Sequence, residues 1–462
     1  VSISQTNTDA VDNEEITYQL SGSTTDGEFA LDGSYKCTVN LAGLTMTNPS
    51  GAAINITNKK RIQISAKKDT ENTLTDGSNG SQTACIYSKG QIQLQGNGTL
   101  NVAGNTKHAI KSGDYITVKN LTLNITSAVK DGISCNEYFL MKSGVITING
   151  VGDDGIQADL DGETSTGETA DHEDEDSGNI YIEGGTLNIT ITAAAAKGIK
   201  AAGDMKISGG DLNVTTTGNG AYDSDENDAK GCAGLKTDGN MTISGGTLIF
   251  KSTGSGGKCI KADGTLTISG GTIDATTTGS KYTYSNSITA SPKAIKAGTK
   301  TGTGSTSTTS NVSGWGGPGG GGPGGGSRDN TNYTYSGGLV ITGGTINASS
   351  ANHEAIESKS AIDISGGYIY AYSSDNAINS ASDFTISGGY VMGNSSGNDG
   401  LDANGNMYIK GGNVFAVATT QPEVGIDANT EGGYKLYVTG GNVVAIGGLE
   451  NGSSLSGVTS KS

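Results

Sequence analysis

The chain has 462 residues, a formal net charge of -17, 76 glycines and only 5 prolines, 5 cysteines and 3 histidines. Glycine does not recur at every third position, no apolar run reaches about 18 residues, and Arg61 and Arg328 are the only arginines. Those facts exclude a collagen triple helix, a membrane-spanning helix and a basic nucleic-acid-binding face, while the acidic balance favours cations as partners.

At the N-terminus the chain starts at Val1 without a Met. Its wealth of Thr, Ser, Asn and Gly predicts an exported product, extracellular or at the cell surface. Residues 1–40 are expected to form an N-terminal cap and the first strands, with Ile16 to Leu20 covering one end. From Ile54 onward one pattern takes over. A small residue, Ile or Leu, a polar residue and a second small residue recur around Ile54, Ile86, Ile110, Ile133, Ile156, Ile199, Leu235, Ile260, Ile295, Ile356, Ile378, Leu401 and Ile426. Gly pairs follow in segments such as MKISGGDLNVT and LTISGGTIDAT, and uninterrupted copies lie 22–25 residues apart. So short a unit cannot close its own core and must stack on its neighbours.

Both segments alternate apolar and polar residues, which is a strand pattern. Leu266 and Ile268 are predicted to point inward and Thr267 outward, and the Gly pair turns the corner before Ile273. The whole chain, 1–462, reads as one all-β domain, a parallel β-helix (solenoid) of about 13 coils and roughly 60 Å at about 4.8 Å per coil. Ala201, Ala262, Ala297, Ser358, Ser380 and Ala403 suit a narrow interior. Cys85 and Cys259 read as small buried residues, and a Cys232–Cys259 bridge stays open as an alternative.

Insertions interrupt the period at 159–178, 216–231, 276–292 and 298–337. The first and last leave after the Ile strand and the middle two after the Gly-pair strand, so stacking puts them on two different edges. Loops on a rigid scaffold commonly carry function. The insertion 159–178 is acidic, and the segment Gly314 to Gly326 is almost all glycine around the single Trp315. The tail 447–462 is polar and offers no clear cap.

Asp131-Gly132-Ile133 and Asp153-Asp154-Gly155-Ile156 stand at matching positions of consecutive coils, so their carboxylates are expected about 5 Å apart. Oxygen donors that close fit a hard cation, with Ca2+ the best match. Asp375, Asp399, Asp402, Glu423 and Asp427 make a second candidate calcium cluster. Asp223, Asp225 and Asn227 make a third, although it lacks the Gly and Glu of a helix–loop–helix calcium loop. Lys200, Lys236, Lys261 and Lys296 share one outward position on four consecutive coils. Neighbouring charges there would repel by about 1 kcal/mol in water unless something offsets them. Asp204, Asp238 and Asp263 could do so from within the chain, and an acidic polymer such as a uronate chain could do so from outside. Tyr368 and Tyr390, each following a Gly pair one coil apart, could bind sugar rings or simply cover a strand face.

The run from Val39 to Asn48, then Ser50-Gly51-Ala52-Ala53-Ile54, then Glu71 to Gly77, the ISGG coils and the Trp-Gly-Gly-Pro-Gly-Gly segment together resemble the bacterial extracellular carbohydrate-binding β-helix family, itself similar to family 9 pectate lyases. The resemblance covers most of the chain. It implies a right-handed helix, calcium, a location outside the cell and plant-wall polysaccharides as partners. By the same resemblance Asp131, Asp153 and Asp154 would hold calcium, and Lys197 or Lys200 would be the base if the protein were a lyase. Gln157 stands where the lyases complete their Asp motif, and no Lys follows Asp399 and Asp402 on the next coil. The expected function is therefore calcium-dependent, non-catalytic binding of polysaccharide, with Lys236, Lys261, Lys296, Tyr368 and Tyr390 as contacts. Two alternatives are a Ca2+-dependent pectate or uronate lyase and a subunit of an extracellular filament built by end-to-end stacking.

Overall fold

A computed structural model describes residues 15–160, 162, 175–303, 333–450 and 453–455. Its regular structure is strand apart from one short 3-10 turn at Thr430–Gly432, and most of the strands lie in one sheet of 29 and one of 14 whose pairings are all parallel. The chain winds as a parallel β-solenoid of about 15 turns. The sequence pattern predicts about 13, because the first turns lack its signature. Ile16–Thr24 pairs in parallel with Cys37–Asn48, and Phe29–Leu31 with Ile54–Ile56, so the stretch read as a cap contributes full turns.

One coil shows the logic of the rest. Lys258–Ala262 lies in the 14-stranded sheet, and Leu266–Ile268 and Thr272–Thr277 lie in the 29-stranded sheet. Ile260, Ala262, Leu266, Ile268, Ile273 and Ala275 are all buried, each above its equivalent in the coil below. Period-two alternation sends one set of side chains to the core and the other to the surface. Apolar residues thus form ladders, and one continuous core runs the length of the rod.

The Gly pair is required by two separate constraints. The second glycine, Gly271 in this coil, has φ +83°, a left-handed conformation that side chains disfavour. At the first, Gly270, a Cβ would collide with the carbonyl oxygen of Ser244 in the previous coil. The same carbonyl approach recurs at Gly245, Gly343, Gly366, Gly388 and Gly411.

All five cysteines are buried and free, so the Cys232–Cys259 alternative is not the one realised. Burial raises the Cys135 thiol to about 12 and pushes Cys259 up as well, so neither ionises readily. Two insertions fold as antiparallel hairpins, Ala221–Asp223 with Asp228–Lys230 and Tyr282–Thr283 with Thr289–Ala290. The acidic residues Asp161, Glu163, Glu168, Asp171, Glu173 and Asp174, and the Gly-rich segment with Trp315, lie outside the described residues.

Gly270→Ala should lower stability by about 1–3 kcal/mol through the forced carbonyl contact. Thr267→Ala, on the outward face of the same coil, should stay within about 0.5 kcal/mol of the parent. Denaturant midpoints followed by circular dichroism check both.

Candidate functional site

Two side-chain columns run along the outer face of the 14-stranded sheet. In the first, Gln157, Lys200, Lys236, Lys261, Lys296, Glu357, Asn379, Asp402 and Asp427 are successive register partners. In the second, Lys197, Ala233, Lys258 and Lys293 are successive partners, two residues before each inward Ile or Leu. Asp131 and Asp154 hold that position on the coils before Lys197, and Glu354 holds it on the coil after Lys293. The sheet face therefore reads acidic, then basic over four coils, then acidic again.

The basic stretch floors a cleft of about 610 Å³, lined by nine lysines and seven carboxylates in a chain whose net charge is -17. The two hairpins form its wall, tied by Tyr222 and Tyr284, whose rings stack 3.9 Å apart and within 5° of parallel. Ion pairing within the cleft is uneven. Lys236 contacts Asp238 and lies 2.7 Å from Asp263, while Lys261 lies 3.2 Å from Asp263. Lys293 contacts Glu354 and lies 3.3 Å from Glu357, which also pairs with Lys359 at 2.5 Å. Asp204 takes no part, and instead accepts the Asn240 N–H at 2.7 Å in a corner.

Lys258 and Lys296 form no ion pair among the described residues. Lys258 is 8% exposed and donates to the Gly256 carbonyl at 3.0 Å. Burial, and then the neighbouring Lys296, Lys261 and Lys293, hold its ammonium form far below the usual lysine range. Burial brings Lys293 and Lys296 down to about 8. Glu357, though buried, is held well below the usual carboxylate range by Lys293, Lys359 and Lys296.

Asp131, Asp153 and Asp154 come together, with one oxygen of each within 4.8 Å of the others. The Asp131 and Asp154 carboxylates also hold the fold. Asp131 Oδ1 accepts the Asp154 N–H at 3.1 Å, and Asp154 Oδ1 accepts the Lys197 N–H at 2.6 Å. Their other oxygens face nitrogen atoms, with Asp131 Oδ2 3.1 Å from His108 Nδ1, Asp153 Oδ2 3.4 Å from Lys130 Nζ and Asp154 Oδ2 3.8 Å from Lys200 Nζ. Burial lifts Asp154 to about 6 even so, with Asp153 adding to the rise. Three clustered carboxylate oxygens suit a hard cation completed by water. Lys197 is half-buried, and its Nζ bonds the Ala195 carbonyl.

The second acidic cluster divides. Asp399, Asp402 and Asp427 share a groove of about 510 Å³, where burial lifts them to about 6, 7 and 9, and Glu450 supports the rise at Asp427 through a hydrogen bond. Asp375 instead joins His353 and Glu354, and Glu423 is not among the groove residues. Asp223 accepts the Asp225 and Glu226 N–H groups at 3.0 and 3.2 Å, which closes the hairpin tip, and Asn227 accepts from the Tyr222 hydroxyl. Asp223 and Asp225 join no group of three clustered His, Cys, Asp or Glu donors among the described residues.

Tyr368 and Tyr390 stand 60% and 52% exposed on another face, with ring centroids 4.8 Å apart and planes within 6°. Each ring thus covers one face of the other, and edges and hydroxyls face outward. Sequence reasoning missed Lys258, Lys293, Glu354 and Glu357. The signal was the repeated Lys-x-Ile-Lys of Lys197 to Lys200, Lys258 to Lys261 and Lys293 to Lys296, which places two lysines per coil on one face.

A family model described as carbohydrate-binding domain-containing protein matches residues 6–279. A protein of that description from Acetivibrio thermocellus is 30% identical over 119 residues, which are 22% of this chain and 42% of that protein. The chain thus spans less than half the length of the curated relative it matches. Among solved structures, a polysaccharide lyase-like protein from C. thermocellum, studied as a gadolinium derivative, is 25% identical with a TM-score of 0.40, over 49% of this chain and 84% of that one.

Glu357→Gln leaves Lys293 and Lys359 without their shared anion and should lower stability by about 3–5 kcal/mol. Lys258→Met, which removes a buried amine that has no carboxylate, should be neutral or stabilising. Thermal unfolding of the two variants side by side measures the contrast.

Proposed function

This chain belongs to the carbohydrate-binding domain-containing protein family, and from that premise we propose that it binds an acidic polysaccharide outside the cell, along the lysine-floored cleft and without cleaving it. The observation that carries the reading is the local reversal of charge. A strongly acidic chain gathers nine lysines around one cleft, and three of them, Lys197, Lys258 and Lys296, form no ion pair among the described residues. A polymer bearing carboxylates, such as a uronate chain, offsets that charge and lies along the coils.

Asp131, Asp153 and Asp154 would hold Ca2+ beside the cleft. Bound there, the ion would cancel carboxylate repulsion and offer a positive point to the ligand's own carboxylates. Asp399, Asp402 and Asp427 supply a second set of oxygens for such an ion, farther along the same sheet face. End-to-end assembly would involve residues 1–14 and 456–462, which lie outside the described residues.

A second reading, a Ca2+-dependent uronate lyase, draws on one observation. Desolvation of the half-buried Lys197 lowers its pKa and favours its neutral basic form, and its backbone N–H is bonded to Asp154 of the calcium candidate. Absorbance of an unsaturated product from polygalacturonate with Ca2+ present would establish that reading. Its absence leaves binding alone.

Affinity electrophoresis in polygalacturonate should show retardation that weakens with salt, since the contacts are electrostatic. Lys296→Met should weaken it at least tenfold, about 1.4 kcal/mol. No retardation by any acidic glycan would refute the reading. Asp153→Asn together with Asp154→Asn should reduce the rise in melting temperature on adding Ca2+ while leaving the fold intact, because an amide oxygen still accepts the Lys197 N–H.

A further inference from the structure

We propose that Lys258, with Lys261 and Lys296, forms a discrete subsite for a single oxyanion, and that filling it draws one proton from solvent onto Lys258. The inference deepens the proposed function and rests on it for the natural ligand, a carboxylate carried by an acidic sugar.

The geometry sets Lys258 apart from the other lysines of the cleft. It is buried, it lines the cleft floor, and its one hydrogen bond runs to the Gly256 carbonyl at 3.0 Å. The groups around it are mostly cationic. Lys261 is on its own strand, Lys293 and Lys296 come from the next coil, and Lys236 lies beside Lys261 on the preceding coil. The anions nearby are committed elsewhere. Asp263 serves Lys236 and Lys261, Glu354 serves Lys293, and Glu357 serves Lys293 and Lys359. From the hairpin wall, Glu226 and Asp228 pair with Lys230. A buried amine among like charges favours its neutral form, in keeping with the downward shift at Lys258.

An oxyanion entering this spot supplies the missing negative charge. It accepts from Lys261 and Lys296, and its field makes the ammonium form of Lys258 favourable again. The amine nitrogen takes a proton from water or buffer and donates N–H bonds to the anion. No covalent bond forms or breaks. Between the free and bound proton affinities of Lys258, binding therefore weakens as pH rises, by up to about tenfold per pH unit for one proton taken up.

Isothermal titration calorimetry decides the matter, run at neutral pH in two buffers of different ionisation enthalpy and repeated at pH 9. The probes are oligogalacturonate, inorganic sulfate and inorganic phosphate, and the proteins are the full chain and its Lys258→Met and Lys258→Arg variants. The expected result is uptake of about one proton per oligogalacturonate bound, a loss of affinity at pH 9, and disappearance of the proton uptake in Lys258→Met. Lys258→Arg, always charged, should bind without uptake if it folds, and a melting curve reports whether it does. Sulfate or phosphate binding with uptake, but no binding of the oligosaccharide, keeps the subsite and overturns the acidic-glycan reading. Oligosaccharide binding with no uptake, and unchanged by Lys258→Met, keeps that reading and overturns the subsite. Binding of none of the three probes overturns both.

Discussion

Stacking in register is the constraint from which everything else follows. Each coil's backbone hydrogen-bonds to the next, so residues more than twenty positions apart in sequence become neighbours, and every side chain belongs to a column. The tightest part of the arrangement is the Gly-pair corner, where one coil's carbonyl comes so near the next coil's glycine that no side chain fits between them. Fixed spacing makes the columns cumulative. A single outward lysine would be an ordinary surface residue, whereas eight of the cleft's nine lysines arise because lysine holds the same column positions from one coil to the next or, like Lys359, lies close beside them.

Much of this was legible in the sequence. The short period, the alternation through Leu266, Thr267 and Ile268, and the Gly pairs point to a solenoid, and the positions of Lys200, Lys236, Lys261 and Lys296 give a column without any coordinates. The shortfall in turns has a plain cause. Cys37–Asn48 forms its corner at a single glycine, Gly43, so the pattern that marks later coils is absent from it. Pairing partners were harder to read than columns. Asp204 has the spacing to neutralise a lysine, but the corner geometry turns it toward Asn240 instead. Asp375 lies one coil from Asp399, yet its carboxylate meets His353 across the preceding coil. Side-chain direction at a corner depends on the local turn, which a spacing count does not contain.

The aspartates of the acidic stretch have a structural duty that sequence alone does not reveal. Asp131 and Asp154 each pass one oxygen to the backbone of the following coil, as do Asn376 and Asp399 farther along. That bond closes the coil and needs only an oxygen acceptor, which explains why asparagine serves at 376. The charge is therefore surplus to the structural role.

The pairing of Tyr222 with Tyr284 has a consequence for how such a cleft can change over generations. The two hairpins are separated by a coil that carries no insertion, yet their rings meet as a single wall. Lengthening or trimming either loop would break the clasp and unseat the other. Descendants of this chain can therefore reshape the groove's mouth only by altering both excursions in concert, whereas the floor beneath can be revised one amino acid at a time.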